Sequence, residues 1–175
     1  MGFVAPNFLG WAVEPAKEMT LTEQYFDGWG DGSMCSSQKS SMIWRKDMKQ
    51  IYFLVWDNFG LHAEACQNWW QLYDDNWQPG QSNNEDITAP PGKIVPVMGF
   101  GKVWRQHLYQ KRPGLGNGFA TTPETAFEAV WQRFENGSAI YRKDTQAIYV
   151  LFDSYDYVTR SGLDKGRKVW FNIKK

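Results

Sequence analysis

Cysteine is scarce: Cys35 and Cys66 are the two in 175 residues. The chain is therefore no disulfide scaffold, and at this length it can bury a core without staples. The two thiols could close one disulfide in an oxidising compartment, and two free buried thiols explain the count almost as well. Net charge is also missing, because 19 Lys plus Arg balance 19 Asp plus Glu. With no basic excess to meet a phosphate backbone and no acidic tail, nucleic acid is not an expected partner. No apolar run is long enough to span a bilayer, so membrane insertion is not expected. Met1 to Gly10 lacks the basic start and long apolar stretch of a secretion signal, which leaves the compartment open, since such a signal is removed on maturation.

Catalytic signatures are absent as well. The sequence contains no Gly-x-Ser-x-Gly elbow, no Walker loop and no His-Glu-x-x-His pair. His62-Ala63-Glu64 has the His-x-Glu of a zinc deaminase, but no Pro-Cys-x-x-Cys follows to complete three protein ligands. Gly114, Gly116 and Gly118 do not follow a strand as a dinucleotide loop would, and read as a flexible turn. His107 reads as a surface residue near a helix end. Carboxylates are plentiful but scattered, and nothing in the sequence fixes their separation. The expectation is a protein without catalytic residues, metal or cofactor.

What the chain has in excess is aromatic side chains, 17% of the total, with 10 Trp, 11 Phe and 8 Tyr. This exceeds what packing one domain needs, so some rings are expected to face outward. The chain also repeats itself. GWAVEPAKEMTLTEQYF, Gly10 to Phe26, lies on GFATTPETAFEAVWQRF, Gly118 to Phe134, without a gap. IWRKDMKQIYFL, Ile43 to Leu54, lies in the same way on IYRKDTQAIYVL, Ile140 to Leu151. Between these blocks the first copy spans 17 positions, Phe26 to Ile43, and the second 6, Phe134 to Ile140, so the first carries 11 extra residues. They fall where the second copy has Glu135-Asn136-Gly137-Ser138, a tight hairpin signal that also accounts for the formal glycosylation match at Asn136.

The enlarged loop, DGWGDGSMCSSQKSS, resembles the start of a calcium site. An EF-hand beginning at Asp27 would need an oxygen ligand at its third position and Glu at its twelfth; Trp29 and Gln38 stand there instead, so the Gly and Asp residues read as turn formers. A link from Cys35 to Cys66 would order this segment.

Each copy predicts a β-hairpin, Met42 to Trp44 with Ile51 to Trp56, and Ala139 to Arg142 with Ile148 to Phe152. Thr125 to Phe134 fits either a helix opened by Pro123-Glu124 or an alternating strand. Gly99 to Gln110 spaces Phe100, Val103, Trp104 and Leu108 as a helix, stopped at Arg112-Pro113-Gly114. Asn83 to Gly92 reads as a surface linker, and GRKVWF at Gly166 to Phe171 echoes the GFGKVW segment. The expected fold class is α+β, mainly β, with two pseudo-repeated β-hairpin units and short covering helices. Residues 1–92 would form the first repeat, with its enlarged loop and Trp-rich segment, and 93–175 the second, in one compact domain.

The order GFGKVWR, GFATTPE, QRFENGS and IYVL resembles a module of bacterial secreted and cell-surface proteins written LGWA…E…QxFExGxMxWR…IYVL. It is similar, more distantly, to the LGFP repeat of bacterial envelope proteins, although Ala12 and Ala120 stand where that motif has Pro, and Gly116-Asn117-Gly118-Phe119 departs from Leu9-Gly10-Trp11. The resemblance implies an extracellular or envelope location and a non-catalytic role, with LGFP-type repeats associated with cell-wall attachment.

The candidate binding residues lie in NWWQLYDDNWQPGQ: Trp69, Trp70, Tyr73, Asp74, Asp75 and Trp77. Aromatic faces beside carboxylates suit a sugar, whose C–H faces stack on rings while its hydroxyls bond to polar groups. The competing reading is that these rings fill the core, since Trp is largely buried in folded proteins; a protein contact is a third. The leading expectation is recognition of a glycan or cell-wall polymer. A self-associating surface or filament subunit, whose partners are other copies of the chain, comes next, and a small hydrolase third.

Overall fold

The structure, a computed structural model, describes residues 9–27, 39–56, 68–110 and 118–153, together with the backbone of 168–173. Cys35, Cys66, residues 28–38 of the enlarged loop and the His62-x-Glu64 pair lie outside the described residues, while the last three residues of that loop, Lys39 to Ser41, open a strand. The described chain is mainly β and antiparallel: β1 (Lys17–Phe26), β2 (Lys39–Arg45), β3 (Gln50–Trp56), β4 (Trp69–Asp74), β5 (Thr125–Phe134), β6 (Gly137–Arg142), β7 (Ile148–Phe152) and β8 (Lys168–Ile173), with one α-helix, α1 (Met98–His107). It forms two compact units that interleave along the sequence, and each draws on residues from both sides of position 92. Unit 1 comprises Met1–Leu21, Asn68–Trp70 and Phe127–Lys175; unit 2 comprises Thr22–Gln67 and Gln71–Ala126.

In unit 1, β5, β6, β7 and β8 are antiparallel neighbours in that order, and the first residues of β4 pair with β8. The two readings open for Thr125–Phe134 resolve in favour of the strand. Phe127, Ala129 and Trp131 are buried on one face while Glu128 is exposed, the two-residue period of a half-buried strand. Leu9, Val150 and Phe152 pack together, with Phe134 and Ile148 against them.

In unit 2, Thr22–Phe26 of β1 pair with β2, and β2 pairs with β3. Ile51 to Val55 form an unbroken buried run, as expected for a strand covered on both faces. Helix α1 begins one residue before the predicted segment and ends three before it, with Phe100, Val103 and Trp104 buried at helical spacing. The Trp104 indole N–H donates to the Gly118 carbonyl at 2.9 Å, and its ring packs on Phe119 and Tyr109. The segment Asn83 to Gly92 is mostly exposed, as a surface linker is, but it is anchored at Asn84. Asn84 is buried, its amide donates to the Pro96 and Gly101 carbonyls, and its oxygen accepts from Arg105. Gly101 makes this approach possible, because a Cβ there would collide with the Pro96 carbonyl and the Asn84 amide.

The two hairpins share a register. In β2–β3, Ile43 faces Tyr52 and Ser41 faces Leu54; in β6–β7, Ile140 faces Tyr149 and Ser138 faces Leu151. Both turns contain a left-handed non-glycine residue, Lys49 or Gln146, and an Arg-x-Asp fork. Arg45 donates two bonds to Asp47 (2.9 and 3.1 Å), and Arg142 donates two to Asp144 (3.0 and 2.8 Å). The hydrogen bond from Arg142 holds the Asp144 carboxyl below the usual range.

Short arms dock on the strand ends by matched contacts. In unit 2, Asp27 N–H donates to the Phe119 carbonyl, Thr121 N–H to the Tyr25 carbonyl, and the Gln24 amide to the Thr122 carbonyl. In unit 1 the aligned residues repeat the pattern: Glu135 N–H donates to Trp11, Val13 N–H to Arg133, and the Gln132 amide to Glu14.

Gly137 of β6 lies where the aligned position of β2 is Ser40, and a Cβ on Gly137 would strike the Leu151 carbonyl and the Leu9 side chain. Gly137→Ala is therefore expected to destabilise the protein at or above the top of the range for overpacking, roughly 1–3 kcal/mol. Urea unfolding checks this, with Ser40→Ala as a comparison that introduces no clash.

Candidate ligand-binding site

The cross-strand pair Trp44 and Ile51 lies on one face of the β2–β3 hairpin. After β4, the chain passes over this pair. Asp75 N–H donates to the Lys49 carbonyl at 2.8 Å, the Asp75 carboxylate accepts from Trp77 N–H at 3.3 Å, and Gln81 N–H closes a turn on the Gln78 carbonyl at 3.1 Å. Pro79 followed by Gly80 at φ +89° is the residue pair a type II turn requires. The Lys102 ammonium ties this loop to α1 through Asn76 O (3.0 Å) and Gln81 Oε1 (3.1 Å). Asp75 comes up against Gly99 in the first turn of α1, where any Cβ would collide with the carboxylate.

These contacts enclose a cavity of about 270 Å3 lined by Trp44, Ile51, Asp75, Trp77, Pro79, Met98, Gly99, Phe100 and Glu124, all of unit 2. The volume is just under the range for drug-sized ligands, about 300–1,000 Å3, and suits one ring or a small head group. Met98 holds φ at +50°, a strained value for a non-glycine residue and of the kind that clusters at binding sites. The indole N–H groups of Trp44 and Trp77 are buried with no hydrogen-bond partner among the described residues. Each such donor costs about 1–3 kcal/mol, so these indoles are held at the cavity against a penalty. Glu124 is exposed as a residue, yet desolvation around its carboxyl raises its pKa.

Trp77 also lines a second hollow, a polar groove of about 610 Å3 with Gln81, Ser82, Asn84, Glu85, Asp86, Lys102, Arg105 and Gln106. Arg105 forks onto Asp86 at 2.5 and 2.7 Å, and this hydrogen bonding lowers the Asp86 pKa. Glu85 is also lowered, by its own backbone N–H, then that of Asn83, then the Ser82 hydroxyl. The groove therefore presents ionised acceptors whose positions are already fixed.

The six residues singled out in the sequence are divided between the two units. Asp75 and Trp77 line the cavity. Tyr73 stacks on His107, centroids 4.4 Å apart, and Asp74 is exposed at the end of β4. Trp69 and Trp70 belong to unit 1, where Trp70 is buried and its indole donates to the Phe152 carbonyl at 2.9 Å. Adjacent strand residues project to opposite faces, so a Trp-Trp pair within a strand does not make one surface. Outward-facing rings exist elsewhere, Trp11 being 82% exposed. Sequence reasoning missed Trp44, Phe100, Met98 and Glu124. Trp44 and Glu124 left a signal, since the aligned sequence blocks set them against Tyr141 and Ala16, residues of different chemistry.

Because the folded-state pKa of Glu124 is raised, its neutral form contributes stability that is present below the ordinary glutamate pKa and lost as pH rises through the raised value. Urea unfolding across that interval should show the native protein losing stability relative to Glu124→Gln, whose side chain stays neutral. Comparison of the chain with protein-family models, curated proteins and solved structures found no match.

Proposed function

We propose that the chain is a non-catalytic extracellular or envelope module, built from two related hairpin copies, that binds a glycan or cell-wall polymer at Trp77. The observation that carries this reading is the position of Trp77 between an aromatic cavity and a groove of fixed polar groups. A pyranose has the matching duality: C–H faces that stack on an indole and hydroxyls that bond to carboxylates, amides and guanidinium. Of the candidate residues, Asp75 and Trp77 carry the reading forward, joined by Trp44, Glu124 and Arg105. The core positions of Trp70 and the unit 1 membership of Trp69 leave them outside this site.

The reading of the chain as two related copies draws support from the equal hairpin registers, the paired Arg-x-Asp forks and the matched arm contacts. Sequence likeness alone would not require Gln24 and Gln132 to make corresponding bonds to Thr122 and Glu14. The copies differ in the segment that follows each hairpin. In the first, the continuation through Asp75, Trp77 and α1 lines a cavity beside Trp44, whereas the aligned Tyr141 is 36% exposed. Duplication would supply the frame and divergence of one copy the site.

A glycan array and a cell-wall pull-down test the function. Binding that falls about tenfold or more in Trp77→Ala, as for an interface hot spot, is the expected result, with thermal melting showing that the variant is folded. Absence of binding, or binding unchanged in Trp77→Ala, would remove the reading.

A further inference from the structure

We propose that the cavity bounded by Trp44, Trp77 and Phe100 receives a cationic nitrogen, the ammonium of an amino sugar or of an alkylammonium head group, with Asp75 and Glu124 as its counter-ions. For an amino sugar, the inference deepens the glycan reading of the same site and rests on it. For an alkylammonium group it stands alone.

The sign of the charge distinguishes the cavity from the groove beside it. The cavity lining includes two acids, Asp75 and Glu124, and no Lys, Arg or His among the described residues. The second hollow lined by Trp77 carries both signs, with Lys102, Arg105, Glu85 and Asp86 on its lining and Arg105 forked onto Asp86. Of these two hollows, the cavity is the one with acids and no base on its lining. An anion would meet repulsion there, and a neutral apolar ligand would strip water from two carboxylates without replacing its hydrogen bonds. A cation removes both difficulties.

The walls point to the same class. Three aromatic side chains, Trp44, Trp77 and Phe100, line the cavity with Met98, Pro79 and Ile51. Ring faces carry negative quadrupole potential, which attracts a cation and is strongest for indole, and desolvation increases the attraction. An ammonium group in this cavity meets favourable potential from the aromatic and the acidic residues of the lining alike. The raised pKa of Glu124 fits, because that carboxyl is partly desolvated and has no basic partner on the lining. Asp75 is held at its position by its own N–H bond to Lys49 and the weak bond it accepts from Trp77, and the absence of a Cβ on Gly99 leaves room for its carboxylate, so it is pre-organised to accept more.

The test is calorimetric titration of the full chain with choline and with glucosamine, each set against a neutral counterpart. These are the carbon isostere of choline, in which a tert-butyl group replaces trimethylammonium, and N-acetylglucosamine. At least one cation is expected to bind saturably and about tenfold or more tighter than its counterpart. The preference should narrow about three- to tenfold in Asp75→Asn and in Glu124→Gln, the second being a change at an exposed residue that leaves folding intact. Equal affinity for cation and neutral counterpart, or no saturable cation binding, would overturn the proposal, as would a preference unchanged in both variants. Choline binding without binding of either sugar would uphold the cation site and remove the glycan reading. Equal binding of both sugars, lost in Trp77→Ala and with no preference for choline over its isostere, would uphold the glycan reading and remove the cation site.

Discussion

The register of the two hairpins is the constraint on which the rest depends. A side chain on a strand points to one face or the other, and a slip of one residue exchanges the faces. Each hairpin fixes its register at the turn, where an Arg guanidinium forks onto the Asp two residues on and a left-handed residue, Lys49 or Gln146, returns the chain. Arg45 and Arg142 are almost buried, and an arginine in that position needs its carboxylate. The aspartates are about half exposed, so the attraction is partly screened and the forks act more through geometry than through net stabilisation. With the register fixed, Trp44 and Ile51 face the same way and a floor exists on which a site can be built.

What is built on the floor depends on small residues that let backbone and carboxylate approach closely. Gly99 admits Asp75 and Gly101 admits Pro96 with Asn84. Asn84, itself in a left-handed conformation, spends its amide and carbonyl on the start and body of α1. A polar residue satisfied in this way specifies one arrangement of loop and helix. The position of Trp77 follows from these short-range contacts together with the Pro79-Gly80 turn, and its face then serves both the cavity and the groove.

Much of the local structure was legible in the sequence, because it is written in period and in turn chemistry. The hairpin strands follow from β-branched and aromatic runs flanking Arg-Lys-Asp, and α1 from the spacing of Phe100, Val103 and Trp104. Thr125 to Phe134 was ambiguous because Pro123-Glu124 is a good helix start, and tertiary burial of Phe127, Ala129 and Trp131 decided for strand. The site was only half legible. Asp75 and Trp77 stood in the aromatic-acidic cluster, but Trp44 and Glu124 reach the same cavity from distant sequence, and their convergence needs the fold. Asn83 to Gly92 has the composition of a linker; its order comes from Asn84, whose partners lie beyond the segment.

Nuclear magnetic resonance of the indole N–H groups, recorded while glucosamine and then choline are added, tests the central claim most directly. The Trp44 and Trp77 resonances are expected to move together and saturably, with Trp70 and Trp104, whose indoles are bonded to the Phe152 and Gly118 carbonyls, unmoved. Movement confined to Trp11 or Trp70, with Trp77 unchanged, would contradict it.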